Sequence, residues 1–114
     1  MSSKVTELRL QASCFQWHWN KFPEERGRLF MIHNNPRNKI DGNRLKAAGM
    51  VAGVADLEYV RLGSPPLFIE MKRPGEKQSD KQIAWEKVAL STGARYVVCC
   101  SLEQFKQIIT EAQN

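Results

Sequence analysis

Three side chains of this sequence are suited to chemistry on a phosphodiester: Asp56, Glu70 and Lys72. They lie in two short runs, Ala55-Asp56-Leu57-Glu58-Tyr59-Val60 and Leu67-Phe68-Ile69-Glu70-Met71-Lys72, separated by Gly63-Ser64-Pro65-Pro66, which reads as a turn. Side chains alternate faces along a strand, so Glu70 and Lys72 share one face while Ile69 and Met71 take the other. An antiparallel hairpin that sets Asp56 opposite Glu70 brings two carboxylates and an ammonium together; a slip of one residue would turn Asp56 away. Facing carboxylates call for a cation. A hard divalent ion such as Mg²⁺ binds through one or two carboxylates and completes its shell with water and substrate phosphate oxygens. Lys72 beside such an ion can orient an attacking water and stabilise negative charge developing on phosphorus. On these three residues alone, an ordinary cross-strand ion pair between Asp56 and Lys72 is a serious rival.

The surroundings bear on that choice. Asp56 followed a hairpin later by Glu70-x-Lys72 resembles the PD-(D/E)XK nuclease motif. Gly49-x-x-x-Gly53-Val54-Ala55-Asp56-Leu57, Ile69-Glu70-Met71-Lys72, Ser79-x-x-Gln82 and Trp85 together resemble, more narrowly, the VRR-NUC (virus-type replication-repair nuclease) domain. The resemblance spans nearly the whole chain. Ala55 departs from it, standing where the motif name has Pro; the change alters backbone stiffness and removes no metal ligand.

The resemblance implies a metal-dependent endonuclease with a restriction-endonuclease-like αβββαβ core. Asp56, Glu70 and the main-chain carbonyl of Met71 would hold Mg²⁺ or Mn²⁺. Lys72 would position or activate the water, with Gln82 and Glu7 assisting. It further implies a homodimer acting on branched DNA such as four-way junctions, in a phage or bacterial setting. A junction has two-fold symmetry, and a C2 dimer presents two sites to two strands. Two other readings stay open: a sequence-specific restriction or homing nuclease, and a non-catalytic DNA-binding or assembly module that keeps the fold.

Around the hairpin, Val5, Leu8, Ala12, Phe15 and Trp19 recur at helical spacing, predicting a helix over about 4–20 with an apolar stripe. Glu7, Gln11, Cys14 and His18 form the adjacent stripe. Glu7 there is either a solvated charge or, by resemblance, a group overlooking the metal, with Gln11 one turn on. Trp19 and Trp85 are expected in the core, Trp17 at an exposed interface and His18 at the surface or an interface rather than as a ligand. Residues 28–33 form a near-continuous apolar run, expected as a strand buried on both faces and ending at His33, which could approach the site but is expected as a structural histidine. The loop that follows carries Arg37 and Lys39, either a solvated connector or a contact to nucleic-acid backbone.

Residues 41–48 suit a short helix, and Gly53 would let backbone pass close to a partner, DNA included. Ser79-x-x-Gln82 is a capping box that opens a helix ending at Gly93. Gln82 therefore either caps that helix or faces the site, and one residue can do both. Residues 95–100 predict another buried strand, and Phe105, Ile108, Ile109 and Ala112 the apolar face of a last helix. Glu58 shares the predicted face of Asp56 but lies further from Glu70, in a supporting or surface place. The order α-β-α-β-β-α-β-α predicts an α/β fold, a mixed four-stranded sheet flanked by helices.

At 114 residues the chain predicts one domain, 1–114, with a single core. A net charge of +5 is compatible with a polyanionic partner without establishing one. No apolar run approaches membrane-spanning length, and the N-terminus leads into an amphipathic pattern unlike a signal peptide. Three cysteines, two of them adjacent, argue against a disulfide framework and for a reducing, cytoplasmic compartment. They show no zinc-site spacing.

Overall fold

The hairpin organises the fold. A computed structural model describes residues 3–34 and 36–114, with side chains from Glu7 onward, so Val5 of the expected helix stripe lies outside the described side chains. β2 (Leu57–Arg61) and β3 (Ser64–Met71) pair antiparallel, with Leu57 opposite Ile69 and Tyr59 opposite Leu67. β1 (Leu29–Met31) pairs antiparallel with β2, and β4 (Arg95–Cys99) runs parallel beside β3. The mixed four-stranded sheet therefore has the order β1-β2-β3-β4.

Alternation along the strands builds two unequal faces. Leu57, Tyr59, Leu67, Ile69 and Met71 are fully or nearly buried, packed with Cys14 of α1 (Ser3–Lys21) and with Phe105 and Ile109 of α4 (Leu102–Ala112). Each such side chain contributes about 1.5–3 kcal/mol of transfer free energy. The opposite face carries Phe68, whose ring meets Trp85 of α3 (Asp80–Ser91) edge-on at 4.9 Å. Trp85 is thus half-buried against the sheet rather than enclosed in the core. α2 (Lys39–Ala47) starts where the Asn38 side chain accepts from the Asp41 N–H at 2.8 Å. Arg37 pairs with Asp41 on the surface. Among the described residues, no helix is long and apolar enough to cross a membrane.

Several expectations change. The turn is tighter than Gly63-Ser64-Pro65-Pro66: β3 begins at Ser64, opposite Arg61, and both prolines lie within it. Prolines are tolerated there because β4 pairs with β3 only from Leu67 onward, so no ladder bond from β4 is lost. The first strand is not buried on both faces. β1 is a three-residue edge strand; Leu29 is buried, whereas Phe30 and Met31 are exposed. β4, the other edge, is buried only at Cys99.

The largest change concerns α1. Its buried side chains are Gln11, Cys14 and His18, while Leu8, Ala12 and Trp19 of the apolar stripe are exposed. His18 is not a surface residue: it is 1% exposed and shares a 2.9 Å hydrogen bond with Glu25. Glu25 also accepts from the Tyr59 hydroxyl at 2.5 Å and from Gln113 at 3.2 Å. Together these donors hold the Glu25 carboxyl below its usual range, against the upward push of burial. Trp17, expected at an exposed interface, instead packs against the core beside Phe22 and Phe105. Trp19, expected in the core, is exposed.

Candidate active site

The β2–β3 ladder ends at Leu57 opposite Ile69, with Asp56 one residue before β2 and Glu70 one residue further along β3. The local bonding holds Asp56 in place. Its main-chain carbonyl accepts from Ile32 N–H at 2.9 Å, and its Oδ2 accepts from Met71 N–H at 2.7 Å. The Met71 side chain itself is core. Lys72 is held by its N–H donating to Cys99 O at 3.0 Å, and its Nζ reaches Glu70 Oε2 at 4.0 Å. The ion pair is thus with Glu70 and not the cross-strand pair with Asp56.

Glu70 and Lys72 are only 1% and 8% exposed. Gln82 satisfies one Glu70 oxygen: its Nε2 donates to Glu70 Oε2. The same side chain closes the capping box of α3, Oε1 accepting from Ser79 N–H at 2.8 Å while Ser79 Oγ accepts from Gln82 N–H at 3.2 Å. One side chain thus makes both contacts: its oxygen caps α3 and its nitrogen reaches Glu70. Gly53 makes this approach possible. At φ +87° it lies so close to α3 that a Cβ would stand 2.2 Å from Lys81 O. The partner its backbone approaches is thus the first turn of α3, which carries Gln82.

Glu70 Oε1 is buried with no hydrogen-bond partner. Buried polar atoms are ordinarily satisfied, so an orphaned carboxyl oxygen calls for a partner. Burial, reinforced by the charge of Asp56 and opposed by Lys72, pushes the Glu70 carboxyl up to about 8. Burial likewise raises Asp56, while the Met71 N–H and Lys72 pull it down. Glu7 of α1 is pushed up to about 7 by burial and by a hydrogen bond and repulsion from Glu76. Glu7, Gln11, His33, Asn34, Asp56, Glu70 and Gln82 line one cleft of about 650 Å³.

Sequence reasoning thus placed Asp56, Glu70, Lys72, Gln82 and Glu7 in one region, and the structure brings them together. It missed Glu76, a residue of a polar loop with no periodicity to mark it. It preferred a structural His33 to one that approaches the site, whereas His33 is exposed and lines the cleft. Glu58 stands apart from the cleft lining, facing Phe30 and Phe68 across the sheet.

The donor set can be matched to a cation. Among the described residues, no group of three or more His, Cys, Asp or Glu side chains forms a ready cage. Two carboxylates, one with a buried oxygen lacking a partner, instead fit a hard ion that keeps water and takes oxygen ligands from substrate. A closed structural zinc site of nitrogen and sulfur ligands does not fit this set.

No protein-family model and no curated protein matches the chain. A solved structure described as a VRR_NUC domain protein superposes with a TM-score of 0.67 over 91% of this chain and 84% of that one, at 20% sequence identity. The fold is therefore VRR-NUC-like.

Proposed function

We propose that this chain is a metal-dependent endonuclease that hydrolyses phosphodiester bonds in DNA, acting as a homodimer on branched substrates such as four-way junctions. The observation that carries the reading is the pair Asp56 and Glu70, held across a hairpin at a cleft, with Glu70 Oε1 buried and unsatisfied beside Lys72. The VRR-NUC-like fold, found in a protein described as having a VRR_NUC domain, and the net charge of +5 support it.

Asp56, Glu70 and the Met71 carbonyl would hold Mg²⁺ or Mn²⁺. When bound, the ion supplies Lewis acidity to a phosphate oxygen and lowers the pKa of water. The chain's own groups do the rest. Lys72 orients the attacking water and stabilises charge developing on phosphorus. Gln82 fixes the rotamer of Glu70 while anchored to α3, and Glu7, its carboxyl raised to about 7, is placed to hold or release a proton at the cleft near neutral pH.

The test is cleavage of labelled four-way junction, flap and linear duplex DNA, each with Mg²⁺, Mn²⁺ or EDTA. Metal-dependent, symmetric cutting of the junction is expected. Cutting of linear duplex at a fixed sequence would support a restriction-like enzyme instead, and binding without cutting in any metal would leave a DNA-binding module. In the same assay Gln82→Ala is expected to lower the cleavage rate about 10–100-fold, the usual effect of removing a group that orients a metal ligand. It should also cost about 1 kcal/mol of stability through the lost cap, read by thermal denaturation.

A further inference from the structure

Of the two histidines in the chain, His18 is buried and bonded to Glu25, whereas His33 is exposed and lines the cleft. The groups proposed to hold the ion and orient the water come from the start of β2, the end of β3, α3 and α1. None comes from the β1 side, where His33 stands. β1 and β3 both run antiparallel to β2, so both leave the sheet at the end where β2 begins. Asp56 lies there between them. Its carbonyl accepts from Ile32 N–H on the β1 side, and its Oδ2 accepts from Met71 N–H on the β3 side. His33 is the residue after Ile32, and Lys72 is the residue after Met71. The two therefore flank Asp56, at the ends of strands about 10 Å apart across two interstrand spacings.

That placement matches what hydrolysis of a phosphodiester demands. The attacking and leaving oxygens lie in line, on opposite sides of phosphorus. With Lys72 serving the water from the β3 side, the departing oxygen faces the β1 side. It leaves as a strongly basic alkoxide unless a proton reaches it while the bond breaks. Imidazole is the side chain most used to pass such a proton near neutral pH. The charged groups that share the cleft with His33 are Glu7 from α1, Asp56 and Glu70, all carboxyls, and an imidazolium is attracted to each of them and to the phosphate. The other candidate donors are already engaged: Lys72 reaches Glu70 at 4.0 Å, and Glu7 is hydrogen-bonded to Glu76. Arg37, in the loop after His33, pairs with Asp41.

We infer that His33 is the general acid of the hydrolysis, its imidazolium donating a proton to the deoxyribose oxygen that leaves phosphorus. The inference rests on the hydrolytic reading of the site and adds to it a second catalytic residue on the β1 side. The water oxygen bonds to phosphorus and its proton is lost to solvent. The bond from phosphorus to the departing oxygen breaks, the electron pair stays with that oxygen, and the His33 proton makes it a hydroxyl. His33, exposed at the mouth of the cleft, regains a proton from solvent before the next turnover.

Single-turnover cleavage with Mn²⁺ tests it on the full chain. The ends left by the wild type identify the bridging oxygen that departs, and a second substrate carries sulfur in its place. A thiolate is a far weaker base than an alkoxide and leaves without a proton, so this substrate bypasses a general acid. His33→Ala and His33→Asn, at an exposed position, are expected to keep native circular dichroism. Both are expected to cut all-oxygen DNA at least about 10²-fold more slowly than the wild type, the scale of general acid catalysis. Both are expected to cut the sulfur-bridged DNA at the wild-type rate. An equal loss on both substrates, or no loss on either, would overturn the assignment. So would recovery of all-oxygen cleavage in His33→Asn, whose amide can contact a phosphate but has no proton to give up. A wild type that cuts while the variants fail equally on both substrates removes His33 alone; a wild type that cuts no DNA removes the nuclease reading, and the general acid with it.

Discussion

Glu70→Gln is expected to lower metal-dependent DNA cleavage at least about 10³-fold while stabilising the metal-free protein at alkaline pH. The first effect follows from removing an anionic ligand: Lewis-acid stabilisation is worth several kcal/mol, and each 1.36 kcal/mol is a decade of rate. The second follows from linkage. The folded protein holds the Glu70 carboxyl at about 8, above its ordinary 4.5, so the native state carries the extra proton between those values. Stability of the metal-free protein therefore falls as pH rises from about 4.5 through about 8. Glutamine does not titrate and keeps the shape, so the variant's melting temperature should exceed that of the wild type at pH 8 and match it near pH 4. Thermal denaturation across that range, in EDTA, reads the difference. Added Mn²⁺ should narrow the gap by stabilising only the wild type. A site that is more stable without its chemistry is the usual mark of a functional carboxyl held against its solvation preference.

Gly53→Ala is expected to cost about 3 kcal/mol or more, a drop of roughly 10 °C or more in melting temperature. The left-handed φ of +87° alone disfavours any side chain, and a Cβ would also stand 2.2 Å from Lys81 O and 2.4 Å from Lys81 C. Backbone at the start of a capped helix cannot yield as a flexible side chain does. The first turn of α3 must then move away, taking Gln82 from Glu70, so cleavage should fall along with stability. Gly63→Ala makes the control. Its φ of +70° is also left-handed, but a Cβ there meets nothing within 4 Å, so its cost should be only the conformational one, about 1–2 kcal/mol, with cleavage retained. Equal melting temperatures for the two variants would remove the close approach of Gly53 to α3 from the account.

The hairpin was legible because its signal is local. Alternation placed Glu70 with Lys72, and the approach of Asp56 to the Glu70 end of β3 survived a misplaced turn because a register shift between Tyr59 and Arg61 offsets the tighter turn at Leu62-Gly63. Gln82 was legible for the same reason: capping chemistry is written within three residues. What was not legible depends on distant partners. Helical spacing finds a stripe on α1 but not which stripe faces inward. His18 is buried because Glu25, Tyr59 and Gln113 build a polar niche around Glu25, and Gln113 lies 88 residues from Glu25 in the chain. Cys14 is buried beside Cys99 at the far end of the sequence. Of the apolar stripe that periodicity assigned to the core, Leu8, Ala12 and Trp19 are left outside, while Phe15 packs partly against the core. The apolar run of β1 misled similarly, since composition does not distinguish a central strand from an edge strand that borders a groove.

The most direct test of the central claim, that Asp56 and Glu70 form a cation-holding centre, is calorimetric titration of Mn²⁺ into the wild type and Asp56→Asn at pH 8. The expected result is one site per chain in the wild type, bound with release of protons as raised carboxyls ionise, and loss of that site in Asp56→Asn. No Mn²⁺ binding by the wild type, or undiminished binding by Asp56→Asn, would contradict it.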